Sequence, residues 1–226
     1  MGCVTQIGEQ GMNIGRIASL IAGFPVEVCG SSTNRMCGSS LDTLAQSAHA
    51  IMAGMSDCTI AAGVENMNRV PMGSDGGDFP DMLMSQYTII PQGFSAELIA
   101  QRWQISREEM DHFSLSSHQK ALDAIEEGRF EREIVPIEVK NETGDKVMFE
   151  ADETPRPNTS LDRLSELKPS FLPDGHVTAG NASQISDGAA AVLLTSRKKA
   201  KELGLHPRAR VVATASAGVD PEIMLT

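Results

Sequence analysis

Aromatic residues are scarce, with one Trp, one Tyr and seven Phe making up 4% of the 226 residues. A core without large rings must be packed from aliphatic, Ala and Met side chains, and 20 Gly and 12 Met supply close contacts and adaptable filler. This points to an α/β protein with helices lying tight on a sheet. Positive charge is also short: 19 Lys and Arg face 30 Asp and Glu, for a net charge of −11, which opposes attraction to nucleic acid or anionic lipid. An anionic ligand therefore needs a local basic cluster. No apolar run approaches the roughly 18 residues of a membrane span, and no basic segment with a long apolar one behind it opens the chain. A reducing, cytoplasmic setting with no membrane partner is the expectation. Cysteine is limited to Cys3, Cys29, Cys37 and Cys58, with no C-x-x-C pair and no His at ligand spacing. That pattern argues against a zinc site or a disulfide framework. What is present, 41% hydrophobic and 22% charged residues, is ordinary globular composition, sufficient for one large domain or two modest ones.

Hydrophobic spacing predicts a helix over 13–23, a short strand over 26–29, and a second helix whose apolar positions 41, 44, 45, 48, 51, 52 and 55 recur at helical spacing, with Gly54 as its C-cap. Residues 57–64 (DCTIAAGV) form a continuous small-apolar run, the pattern of a strand covered on both faces. Pro71, Pro80, Pro91 and the glycines at 73–77 then interrupt regular structure. A helix is expected over 93–103, and Ser106 with Glu109 makes a capping box before a long helix ending near Gly128. Residues 132–140 read as an edge strand because Pro136 cannot donate to a ladder. Residues 141–183 read mostly as loop, 188–195 as a buried strand, 196–203 as a basic helix and 208–218 as a third strand.

The sharpest chemical feature is Asn34-Arg35-Met36-Cys37-Gly38-Ser39-Ser40. It places a cysteine where an extended segment turns into a helix. Unpaired amides and the dipole of a helix N-terminus favour a thiolate, and Gly38 lets a reactant approach the backbone. A small buried hydrophobe is the competing role for any single free cysteine. Ser39 and Ser40 are suited to packing or capping.

Four segments, GCVTQIGEQGMNIGR, NRMCGSSLDTL, AAGVENMNRVPM and TAGNASQISDGAAAVLL, resemble thiolase motifs and follow one another in thiolase order across essentially the whole chain. The resemblance implies the thiolase α/β fold. Residues 1–65 and 185–226 would form the N-terminal half-domain, incomplete at both ends, and residues 66–184 its inserted CoA-binding loop domain. Cys37 would be the nucleophile that takes an acyl group from a 3-ketoacyl-CoA or acetyl-CoA and passes it to a second thiol or carbanion. Arg156 would pair with a nucleotide phosphate, Phe171 line the pantetheine channel, Ala179 and Gly180 admit the ligand close to the backbone, and Ser183 hydrogen-bond the pantetheine amide. Arg163 and Lys168 are further basic candidates, compensated in sequence by Asp162 and Glu166. Neither a metal nor a cofactor is called for, since CoA is a substrate.

The sequence departs from the family at two places. Pro91-Gln92-Gly93 stands where many thiolases carry His-Met-Gly, which leaves the acyl end of the pocket and the chain-length preference open. The C-terminal half that would bring the activating histidine and the second catalytic cysteine does not follow Thr226. None of the five histidines replaces that base: His49 is twelve residues along the same predicted helix from Cys37, roughly 18 Å away at the α-helical rise. His206 reads as a surface turn residue, His112 and His118 as solvated, and His176 lies beside the presumed CoA loop. The expectation is therefore a fragment or one piece of a split enzyme, inactive alone, whose partners are acyl-CoA, CoA, a complementary C-terminal half and further copies in an oligomer. A decarboxylating ketosynthase shares a cysteine at a helix start, although the TAGNASQISDG segment and the large insertion argue against it. A non-catalytic CoA-ester binding subunit docked to a complete thiolase is the reading from outside enzymology.

Overall fold

A computed structural model describes residues 1–226. In chain order the regular elements are α1 (Ile14–Ile21), α2 (Ser39–Met52), β1 (Cys58–Glu65), α3 (Asp81–Met84), α4 (Gln92–Trp103), α5 (Arg107–Glu126), β2 (Ile137–Lys140), β3 (Lys146–Phe149), α6 (Leu161–Ser165), β4 (Gly188–Thr195) and α7 (Arg197–Glu202). They divide into two compact units, Met1–Phe79 with Ile185–Ala217, and Pro80–Gln184 with Gly218–Thr226. Residues 66–79 thus lie with the first unit and 218–226 with the second. The latter tail is held there by Ser95 Oγ, which donates to the Glu222 carbonyl at 2.6 Å, and by Arg102, 3.0 Å from the Glu222 carboxylate. No helix is long and apolar enough to cross a membrane.

In the first unit β1 and β4 pair antiparallel from Cys58↔Thr195 to Glu65↔Gly188. α2 lies on this pair, and Ala48, Ala61 and Leu194 form the buried centre, with Leu44, Ile51 and Val211 packed around it. The helix stops where expected: Gly54 adopts φ +72°, a conformation that costs glycine no Cβ clash. The expectation of strands covered on both faces is corrected. β4 is exposed through Leu193, and Ile60, Val192 and Leu193 present about half their surface to solvent, because a sheet of two strands with a helix on one side has nothing on the other.

Two further expected strands are absent, each for a visible reason. Residues 26–29 hold a turn at 26–27 and irregular backbone after it, and the Arg16 guanidinium takes the carbonyls of Val26 (2.9 Å) and Val28 that a ladder would use. Residues 208–218 carry no ladder either. They run along α2 instead, with Thr214 Oγ1 2.7 Å from His49 Nε2 and Ser216 Oγ 2.8 Å from Arg35 Nη1.

In the second unit the capping box of α5 forms as the sequence predicts: Ser106 Oγ accepts the Glu109 N–H while the Glu109 carboxylate accepts the Ser106 N–H. The expected edge strand shortens to β2, which begins immediately after Pro136, and it gains a partner in β3, from Ile137↔Phe149 to Lys140↔Lys146. That hairpin and the short α6 replace part of the long loop expected over 141–183. Asn141 closes the hairpin, its Oδ1 accepting the Thr143 and Asp145 N–H groups at 3.1 and 2.8 Å.

Candidate active site

Cys37 is exposed, one residue ahead of Gly38, the N-cap of α2. The corner that carries it is over-determined by hydrogen bonds. The Met36 N–H donates to Asn34 Oδ1 at 2.9 Å, the Arg35 N–H to Ser39 Oγ at 2.7 Å, and the Ser39 hydroxyl to the Met36 carbonyl at 2.5 Å. Met36 is held at φ +49°, in the left-handed region that a non-glycine side chain rarely occupies. Behind the corner the start of α2 rests directly on two glycines. A Cβ on Gly2 would lie 2.5 Å from the Ser40 nitrogen, and one on Gly63 of β1 would lie 1.8 Å from Ser40 Oγ. Ser39 is buried and Ser40 lies against Gly2 and Gly63, so of the two roles expected for them it is packing that forms, and α2 carries no side-chain cap.

Arg35 closes one side, 2.6 Å from Asp42. Hydrogen bonds from Arg35 and from Gln46 hold the Asp42 carboxyl below its ordinary range. A cleft of about 370 Å³ opens between α2 and residues 211–217, with Gly38, Leu41, Ala45 and Ala215 among its walls. Cys3 is buried instead: it is 1% exposed, and burial first, then Glu65 and Asp75, pushes its thiol up to about 11. Cys3 is kept as a neutral packing group, whereas Cys37 stands open to a reactant.

In the second unit two of the residues expected to hold CoA, Ala179 and Gly180, lie in one built loop, 175–181. Glu97, 6% exposed on α4, accepts the His176 and Val177 N–H groups at 2.8 and 2.9 Å. Asn181 closes the loop: its Oδ1 accepts the Thr178 N–H at 2.8 Å, and its Nδ2 donates to the His176 carbonyl at 3.0 Å and to Asp111 at 3.3 Å. Asp111, also buried, is paired with Arg107 at 2.7 Å, and Arg107 reaches on to the Leu164 and Leu167 carbonyls. Val177 and Thr178 are buried by this frame, while Ala179 is exposed and Gly180 half-buried.

Phe171 packs its ring against Phe94 at a centroid distance of 6.3 Å and lies over Gly93, where a Cβ would come within 2.2 Å of the ring. Ser183 is exposed. Arg156 is exposed in a loop whose backbone is pinned by its own N–H donating to His118 Nδ1 at 3.2 Å. His118 is thus half-buried and structural rather than solvated. Arg163 donates to the Asn158 carbonyl at 2.9 Å. Glu97, Asp111 and His118 were not legible as site residues, since nothing in a polar helical sequence marks which carboxylate or imidazole turns inward. Asn181 was within the quoted motif, but its two-way bonding needs the folded loop.

The family description "Thiolase, N-terminal domain" matches residues 1–198. The chain belongs to the thiolase family. It is 47% identical over 226 residues to a 3-ketoacyl-CoA thiolase of Idiomarina loihiensis, covering 99% of this chain and 58% of that protein. It is 40% identical over 241 residues to a β-ketoadipyl-CoA thiolase of Acinetobacter baylyi, covering 60% of that protein. The crystal structure of the Bacillus anthracis acetyl-CoA acetyltransferase superposes with a TM-score of 0.81 at 39% identity, over 99% of this chain and 59% of that one. The chain therefore has the thiolase N-terminal fold and spans a little over half the length of the thiolases it matches.

Proposed function

We propose that this chain provides the nucleophile and the CoA-binding loop of a thiolase that moves an acyl group between CoA and a 3-ketoacyl-CoA. The observation that carries the reading is the exposed Cys37 on a strained corner at the N-terminus of α2, inside a chain that matches the thiolase N-terminal domain over residues 1–198. In the thiolysis direction the Cys37 thiolate attacks C3 of the ketoacyl-CoA. The C2–C3 bond breaks, its electron pair passes to the acetyl-CoA enolate, and the enolate takes a proton as acetyl-CoA leaves. The acyl group remains on Cys37 as a thioester, a fresh CoA thiol attacks it, and the Cys37 thiolate is regenerated. Amide donors at the α2 start are suited to stabilising the oxyanion.

Arg156, Phe171, Ala179, Gly180 and Ser183 receive CoA in this scheme, with the Glu97–Asn181–Asp111 frame keeping the loop open. The base for thiol activation and the second cysteine come from a C-terminal half, so the 226-residue chain alone does not turn over. The four free cysteines suit a reducing, cytoplasmic compartment. The test is CoA-dependent thiolysis of a 3-ketoacyl-CoA by the chain joined to a C-terminal thiolase half, with Cys37→Ser as the blank. Activity that needs both Cys37 and the added half supports the scheme. Equal turnover by the 226-residue chain alone removes the requirement for the half, and covalent acyl labelling that survives Cys37→Ser removes Cys37 as the nucleophile.

A further inference from the structure

A hydrogen-bonded line runs from a carboxylate at the end of β1 to the residue preceding Cys37. Glu65 accepts the Val4 N–H at 2.9 Å, the Thr5 N–H at 3.3 Å and Gln10 Nε2 at 2.8 Å. Gln10 is locked in turn, its Nε2 also donating to the Thr5 carbonyl at 2.9 Å and its Oε1 accepting the Asn66 N–H at 2.6 Å. The peptide group between Val4 and Thr5 offers its N–H to Glu65 and its carbonyl to Asn34 Nδ2, at 3.0 Å. Asn34 Oδ1 then accepts the Met36 N–H. Residues 1–5 are threaded between β1 and residue 33, with the Gly2 N–H on the Ala62 carbonyl at 2.7 Å and the Cys3 N–H on the Thr33 carbonyl at 3.1 Å. Thr5 and Gln10 are buried, whereas Asn34 and its two bonds form the exposed end of the line.

We infer that Asn34, anchored through Val4 by Glu65, is the positioning residue for Cys37: it holds Met36 in the left-handed conformation that aims the thiol at the α2 N-terminus. The inference rests on Cys37 being the nucleophile. Chemically it needs a side chain with one acceptor and one donor, and among uncharged residues of that length only Asn bridges the Val4 carbonyl and the Met36 N–H together. Asp lacks the donor and would set a carboxylate against a carbonyl. Without the bridge, one of the restraints that offset the cost of the positive φ, roughly 1–3 kcal/mol, is lost; the Ser39 bonds to Arg35 and Met36 remain, and the corner relaxes toward ordinary backbone. Glu65 acts one step further back, by fixing the peptide to which Asn34 is tied.

The test is alkylation by iodoacetamide of the full 226-residue chain, followed by peptide mass spectrometry, with the exposed Cys29 and Cys58 as references within the same molecule. The ratio of Cys37 rate to reference rate is expected to fall at least about fivefold in Asn34→Ala and Asn34→Asp, and by a smaller factor in Glu65→Gln, while Cys3 stays protected as a sign of folding. An unchanged ratio in a folded Asn34 variant overturns the inference. If Asn34→Ala does not fold, Asn34→Asp and Glu65→Gln carry the decision by the same ratio. Acylation of Cys37 by acetyl-CoA in the joined enzyme separates the two claims. A lost alkylation ratio in an enzyme never acylated at Cys37 supports the positioning role and defeats the catalytic reading. Normal acylation of Asn34→Ala with an unchanged ratio does the reverse.

Discussion

The two units place glycine against different partners. At the Cys37 corner Gly2 faces backbone: a Cβ there would meet the Ser40 nitrogen at 2.5 Å and the Ser39 carbonyl carbon at 2.6 Å. In the second unit Gly93 faces the Phe171 ring, which can swing about its side-chain bonds. Two carboxylates, the half-buried Glu65 and the buried Asp111, differ in parallel. Glu65 is satisfied by backbone and amide N–H donors with no cation, whereas Asp111 has Arg107 as well as Asn181. At these two contacts the Cys37 corner meets backbone and the loop unit meets an aromatic side chain. The ring can move to accommodate a long ligand, and the backbone at Gly2 cannot shift without moving the start of α2.

The largest effect should come from breaking the loop unit at its charge pair. Asp111→Ala leaves the Arg107 charge without its carboxylate and removes one of the three bonds of Asn181, and is expected to cost about 3 kcal/mol. The urea midpoint followed by Trp103, the single tryptophan and a member of that unit, measures it. Next, Gly2→Ala forces backbone apart and should cost about 2 kcal/mol. Gly77→Ala, whose Cβ would meet nothing within 4 Å, is the matched control in the same unit, and both are read by hydrogen exchange of residues 1–10. Gly93→Ala should cost about 1 kcal/mol or less, since Phe171 can rotate away, but it should raise the CoA concentration needed for half-saturation in the joined enzyme. Equal costs for Gly2→Ala and Gly93→Ala would abolish the distinction between the units.

The smallest effect is one of pH. Burial pushes the Glu65 carboxyl up, but hydrogen bonds from Val4, Gln10 and Thr5 outweigh it and leave the group below its ordinary value. Its contribution is therefore fully present above the ordinary glutamate range and is lost as pH falls through the depressed folded value. The protection of residues 1–10, measured as exchange relative to the unstructured-peptide rate at the same pH, should fall on acidification in the parent chain. In Glu65→Gln it should start lower and depend less on pH.

Much of the framework was legible from residue order. Helical spacing from Leu41, the Gly54 stop, the Ser106–Glu109 capping box and the apolar runs of β1 and β4 all depend on neighbours within a few residues, and each forms where expected. The five-residue α6 is too short to display a period, and β3 is defined by its pairing with β2 rather than by its composition. Residues 26–29 and 208–218 have strand-like composition but lose their carbonyls to Arg16 or their side chains to α2. Composition does not specify a ladder partner.

The site divides in the same way. By itself the sequence determined the thiolase family, the cysteine at a helix start and the TAGNASQISDG segment that holds Ala179 and Gly180, because motifs are local and survive as strings. Only the tertiary structure decided that Met36 sits at positive φ, that Asn34 bridges residues 4 and 36, and that Glu97 and Asp111 turn inward to hold the loop. Those facts join residues tens of positions apart. A buried polar group takes its role from whichever distant donor reaches it, and that is settled when the chain packs.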